Sequence, residues 1–143
     1  MPAMTTFSVE PLVEARIAEF TRIEEAAFGY DALQNLMFPP EATVNSYEAW
    51  AVMTCQRKLL HDPTCRLMTA TSLKTGELMA GSRWNFYDRP EDFEKTITKA
   101  SRELDTPQGS NPELYRMFKD TMNNSCTKQM RGEAFYRKSS ESF

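Results

Sequence analysis

The sequence predicts an α+β fold, and three observations lead there. Period-two alternation runs through Arg66–Tyr87 and is broken once by a tight-turn signal. Stripes of helical period run on either side of it, from Val13 to Ala27, from Tyr47 to Leu60 and from Leu114 to Cys126. The chain has 143 residues, 41% of them apolar and 11% aromatic, which is enough for one domain with a core.

Taken in order, Phe7–Val9 is a short β-like start. Pro11 fits the first turn of a helix, where a missing N–H costs nothing. Val13, Ile17, Phe20 and Ala27 share one face of that helix, and Gly29 is its expected stop. Leu33–Phe38 is a short apolar helical piece closed by Pro39-Pro40. A second long helix is expected from about Ser46 to Leu60, with Asn45 and Glu48 at capping-box spacing. Its buried stripe is read as Tyr47, Trp50 and Met53, bordered by the stem of Arg57 and by Leu60, and Asp62-Pro63 ends it.

Leu67, Thr69, Thr71 and Leu73 then alternate with Met68, Ala70 and Ser72. After Lys74-Thr75-Gly76-Glu77 a second alternation runs Leu78, Ala80, Ser82, Trp84, Phe86. Gly76 supplies the positive φ that a tight antiparallel hairpin needs. A lone hairpin is marginal in water, so helices or further strands must cover it. Arg89–Leu104 is charged, with Phe93, Ile97 and Leu104 as weak helical anchors, and Asp105–Pro112 reads as a loop. Asn111 and Pro112 form an N-cap and N1 pair for a third helix on Leu114, Phe118, Met122 and Cys126, flanked by Tyr115 and Met130. Ala134–Tyr136 begins a strand, and the tail Arg137–Phe143 is polar.

Composition narrows the function. Seventeen basic and 20 acidic residues leave a net charge of −3, which argues against a phosphate-gripping nucleic-acid binder. No apolar run is long enough to span a membrane, and the N-terminal segment lacks the pattern of a secretory signal. Cys55, Cys65 and Cys126 are widely spaced, without a CxxC, and His61 is the single histidine, so no His-rich metal site or zinc ribbon is expected. Three reduced thiols point to a cytosolic or nuclear protein, and a cytoplasmic location is expected. Cys65 near His61 is a candidate nucleophile, but no orienting group for it is visible. Adjacent carboxylates such as Glu24-Glu25 and Glu91-Asp92 do not share a helix face and read as solvated surface.

The stretches AAFGYDALQNLMFPP (Ala26–Pro40), LMTATSLKTGELMAGSRWNFYDRPED (Leu67–Asp92) and NPELYRMFKDTMNNSCTKQMRGEAFY (Asn111–Tyr136), in that order, resemble the N-terminal portion of the GCN5-related N-acetyltransferase (GNAT) family. They are similar to its passage between helices 1 and 2, its second and third strands, and the helix leading to its fourth strand. The resemblance implies an incomplete GNAT-like fold over residues 1–143, β-α-α-β-β-α around an antiparallel hairpin, a single domain stopping before the fourth strand and cofactor loop. It implies a family reaction in which acetyl passes from acetyl-CoA to a small-molecule or peptide amine. It places Phe28, Phe38, Trp84 and Tyr87 as substrate-binding residues on the acceptor side, Pro39 and Phe86 beside them, and Tyr136 on the stub of the fourth strand. The same aromatics also serve ordinary core and edge packing.

The family grips the coenzyme's diphosphate with a Gln/Arg-x-x-Gly-x-Gly/Ala loop at a helix N-terminus, where backbone N–H groups and the helix dipole hold an anion. Here Gly29, Gly76, Gly81, Gly109 and Gly132 include no pair at G-x-G spacing. No catalytic residue is assigned, no bound cofactor is expected, and the chain reads as an inactive or incomplete member. The alternative is a non-catalytic interaction module or small α+β scaffold that self-associates or pairs with a partner through an open strand edge.

Overall fold

The structure, a computed structural model, describes residues 6–89, 91–95, 105–129 and 135–138. It is a mixed α+β fold. In order it contains β1 (Phe7–Pro11), a 3-10 turn (Glu14–Arg16), α1 (Ile17–Phe28), α2 (Ala32–Met37), α3 (Pro40–Thr43), α4 (Tyr47–His61), β2 (Cys65–Ser72), β3 (Leu78–Tyr87), α5 (Pro112–Gln129) and β4 (Phe135–Lys138). The strands form one sheet in the order β1-β2-β3-β4, with β1/β2 and β2/β3 antiparallel. The described residues fall into two compact units, one drawn from 6–28, 51–85 and 137–138, the other from 29–50, 86–89, 91–95, 105–129 and 135–136.

In the first unit the hairpin forms where the alternation places it. Leu67 pairs with Arg83 and Thr69 with Gly81, with one irregularity at Ala70/Thr71. Gly76 closes the turn at φ 75°. Its N–H donates to the Ser72 carbonyl at 2.8 Å, while the Ser72 hydroxyl accepts from the N–H groups of Lys74 and Thr75 at 3.2 Å each. Arg16 reaches this turn from the 3-10 segment, donating to the Gly76 carbonyl at 2.9 Å and to Thr71 Oγ1 at 3.2 Å. One face of the sheet is buried through Cys65, Leu67 and Thr69 of β2 and Arg83 of β3. Leu12, Ile17 and Phe20 pack on it, and Phe20 has no exposed surface.

Three expectations are revised here. Pro11 ends β1 instead of opening a helix, opposite Met68. An outer strand needs no donor on its open side, so proline is tolerated there. Val13 stays extended and 54% exposed, and Leu12 takes the buried place, its N–H donating to the Leu67 carbonyl at 2.8 Å. Ala27 is exposed as well, while Thr21 is buried. In α4 the buried residues are Ala51 and Cys55, with Val52 and Leu59 half-buried against the same core, and Met53 and Leu60 face solvent. Small side chains at i and i+4 let the helix lie close, whereas a bulkier stripe would hold it off.

In the second unit Asp31 caps α2, accepting from the Gln34 N–H at 2.8 Å. Pro39-Pro40 ends α2 as expected, and Pro40 then opens the short α3, which the sequence reading missed. The 105–111 loop is held at three points. Trp50 Nε1 donates to the Asp105 carbonyl at 3.0 Å, Ser46 Oγ to the Gln108 carbonyl at 2.7 Å, and the Asn111 N–H to the Met37 carbonyl at 2.8 Å. Asn111 caps α5, accepting from the Leu114 N–H at 3.1 Å. Leu114, Phe118, Met122 and Cys126 are half-buried along α5. Residues 91–95 are helical and bury Phe93, whereas Ile97, Leu104 and Met130 lie outside the described residues. The fourth strand runs over Phe135–Lys138, two residues further than the sequence suggested.

Two glycines need their positive φ for different reasons. Gly76 has open space around it, whereas a Cβ on Gly109 (φ 89°) would overlap the Ala42 carbonyl. Gly76→Ala is expected to cost about 1 kcal/mol from left-handed strain alone. Gly109→Ala is expected to cost about 2–4 kcal/mol, because overpacking adds to that strain. Urea denaturation of the two variants gives the comparison.

Candidate functional site

The sequence-predicted residues divide between the units. Phe38 lies in the second unit, where Pro39 ends α2 and leaves its side chain buried. Its ring centroid is 5.3 Å from Tyr47, 5.2 Å from Trp50 and 5.2 Å from Tyr115. Tyr47 and Trp50 lie 5.7 Å apart, and Trp50 meets Tyr115 edge to face at 6.1 Å. Ring pairs at these separations favour such tilted and edge-on arrangements. Phe38 is the buried post, and Tyr47, Trp50 and Tyr115 are the half-buried rings around it.

Polar contacts fix those rings. Gln34 Nε2 donates to the Tyr47 hydroxyl at 2.9 Å, and the Trp50 indole N–H is held by Asp105. Lys119 Nζ stands 5.5 Å above the Tyr115 ring centre, an intramolecular cation–π contact. A wall of this kind suits apolar and cationic groups. The resemblance singles out Phe38 as an acceptor-side residue, whereas Tyr47 and Trp50 read from sequence as one helix stripe and Tyr115 as a flank of another. The signal available was the spacing of Tyr47 and Trp50, which puts both rings on one side of α4.

Tyr87, also in the second unit, is buried at the end of β3. Its ring meets Phe93 edge to face at 5.1 Å, with Cys126 packed against the pair. Phe28 and Trp84 are in the first unit. Phe28 ends α1 and is half-buried. Trp84 is half-buried and, by the alternation of β3, lies on the sheet face opposite Arg83, its indole N–H donating to Ser82 Oγ at 3.0 Å. Tyr136 belongs to β4. Cys65 is buried in the apolar core with Leu67 and Phe20, while His61 is exposed at the end of α4.

One charged pair stands out in the first unit. Arg83 is 5% exposed and its Nη2 lies 3.2 Å from Glu24 Oε2 on α1. Cys55 is buried nearby in the same unit. Burial pushes its thiol from the ordinary value near 9 up to about 11; Glu24 and Cys65 add to the rise, and Arg83 and Lys58 oppose it. A protonated thiol is a poor nucleophile, so Cys55 is a packing group. The three cysteines are free thiols. Among the described residues no cluster of His, Cys, Asp or Glu is arranged to hold a metal ion, and no helix is long and apolar enough to cross a membrane.

Removing one partner of a buried ion pair takes away charge compensation that the other was buried with. Glu24→Ala is expected to destabilise by about 3–5 kcal/mol, with Glu24→Leu combined with Arg83→Met recovering much of the loss in thermal melts. Cys55 gives a pH signature. A folded thiol whose ionisation is delayed stabilises the fold at neutral pH, and that stabilisation is lost as pH rises from about 9 to about 11. Urea titrations across that range are expected to show an alkaline loss about 2–3 kcal/mol larger in the native sequence than in Cys55→Ala.

Comparison with protein-family models, with curated proteins and with solved structures finds no match for this chain.

Proposed function

We propose that this chain is the acceptor-side portion of a GNAT-type N-acetyltransferase, and that residues 1–143 do not carry out acetyl transfer by themselves. The single observation behind the family reading is the order of elements. A strand, helices, an antiparallel hairpin, a long helix and a further strand follow one another, and the four strands lie side by side in chain order. The resembling stretches imply the strand, helices, hairpin and long helix in this order and a chain stopping before the fourth strand; β4 adds one strand to that order. In the family the amine nitrogen attacks the thioester carbonyl carbon, the carbon–sulfur bond breaks, the amine gives up a proton and the leaving thiolate takes one.

The non-catalytic half of the proposal rests on the glycines. Transfer needs a cradle of backbone N–H groups for the diphosphate, and close backbone approach there needs glycine. Gly109, three residues ahead of α5, is the nearest approach to such a loop among the described residues. It is committed to packing against Ala42, and Asn111 already caps α5. By the resemblance the acceptor residues are Phe28, Phe38, Trp84 and Tyr87, and the substrate is a primary amine on a small molecule or peptide.

Two measurements test the two halves. Isothermal titration with acetyl-CoA is expected to give no saturable heat, and saturation in the micromolar range would overturn the non-catalytic half. The chain has two tryptophans, Trp50 and Trp84, so each unit carries its own indole N–H reporter. Titration with a short lysine peptide, followed by heteronuclear NMR, is expected to move the Trp84 signal or the Trp50 signal in a saturable way. Failure of both to move at about 10 mM peptide, well above the ordinary range of enzyme KM values, would sink the acceptor reading.

A further inference from the structure

Among the described residues the strand order leaves β1 as an outer strand, with β2 on one side. Its hydrogen-bond parity can be read directly. Leu12 N–H donates to the Leu67 carbonyl at 2.8 Å, and Leu73 N–H to the Thr6 carbonyl at 3.0 Å. Both pairs continue the register that sets Phe7 opposite Ser72 and Pro11 opposite Met68. In an antiparallel ladder, residues bonded to the neighbouring strand alternate with residues whose N–H and C=O point away from it. Thr6, Ser8, Glu10 and Leu12 therefore face β2, and Phe7, Val9 and Pro11 turn their backbone to the open side. Pro11 has no N–H to offer. The open edge thus carries complete donor–acceptor pairs at Phe7 and Val9.

The side chains follow the same alternation. Phe7 and Val9 share one face of the strand and are 46% and 71% exposed. Ser8 and Glu10 share the other, with Ser8 Oγ donating to Glu10 Oε1 at 2.8 Å. We infer that β1 is a homodimer interface, pairing antiparallel with β1 of a second copy about a two-fold axis at Ser8. Phe7 then lies opposite the partner's Val9, and Val9 opposite the partner's Phe7. Each pair exchanges both backbone bonds, and each sets an aromatic ring against a β-branched side chain on one face.

The occupant and the register follow from the same residues. An isologous contact requires a self-complementary patch, and two apolar residues two positions apart, both turning N–H and C=O away from β2, make one. Moving the axis to Val9 sets Phe7 against the partner's Pro11 and loses a donor on each side. Moving it to Glu10 sets two carboxylates directly opposite each other. The Ser8 axis avoids both and places Glu10 opposite the partner's Thr6. The acetyltransferase reading plays no part in this inference, which depends on the edge of β1 alone.

Sedimentation equilibrium of the whole chain from about 10 μM to about 1 mM tests it. The expected result is a monomer–dimer equilibrium with a dissociation constant on the order of 100 μM, since a short ladder is a small interface. Val9→Pro removes an N–H that β2 does not use, so it is expected to weaken the dimer at least about tenfold while shifting the thermal midpoint by no more than about 3 °C. Val9→Lys keeps the backbone intact and blocks the edge with charge, and is expected to weaken the dimer to a similar extent. A mass that stays monomeric at 1 mM overturns the inference, and so does a dimer whose affinity is unchanged in Val9→Lys.

Discussion

Burying a guanidinium in the middle of a sheet face sets a condition that the rest of the first unit has to meet. Arg83 occupies a core position on β3, so an opposite charge must reach it from the layer above. Glu24 on α1 does so at 3.2 Å. That contact selects one rotation of α1, because Phe20 and Glu24 are one helical turn apart and share a face. The rotation that brings Glu24 to Arg83 also drives Phe20 into the core with Leu67 and Leu78. Cys55 then lies among these groups as a neutral thiol, which suits a place that already holds two charges.

The second unit is organised differently, around a ring. Pro39 and Pro40 stop α2 so abruptly that Phe38 is left at a chain reversal with its side chain inward. Three aromatics from two helices close on it. Around them, the 105–111 loop is tied by backbone carbonyls at Asp105 and Gln108 and by the Asn111 N–H. A glycine at 109 is what allows that loop to lie on Ala42. The half-buried faces of Tyr47, Trp50 and Tyr115 are thus held in place by polar contacts as well as by packing, a property a recognition surface needs.

The site residues chosen from sequence illustrate the limit of reading aromatics in a linear chain. Phe38, Tyr87, Trp84 and Phe28 form one group only through the family resemblance, which puts all four on the acceptor side. The structure gives them unlike surroundings: Phe38 and Tyr87 are buried against other rings, Trp84 lies on the sheet face opposite Arg83, and Phe28 is half-buried at a helix end. Nothing in local spacing distinguishes a ring that supports others from a ring that presents a face.

Local chemistry was sufficient wherever a backbone conformation is dictated by one or two residues. Gly76 set the hairpin turn, Asn111-Pro112 set the start of α5, and the alternation on either side of Lys74–Glu77 set both strands, because turn geometry, capping and period two act within a few residues. The mixed α+β class follows from those signals. Tertiary structure decided which stripe of α4 is inside, that Pro11 closes a strand, that Arg83 is buried and paired with Glu24, and that Tyr47, Trp50 and Tyr115 converge on Phe38. Each of these depends on what the rest of the chain brings alongside. An apolar stripe becomes a core, and an arginine tolerates burial, only when a partner distant in sequence supplies the matching surface or charge.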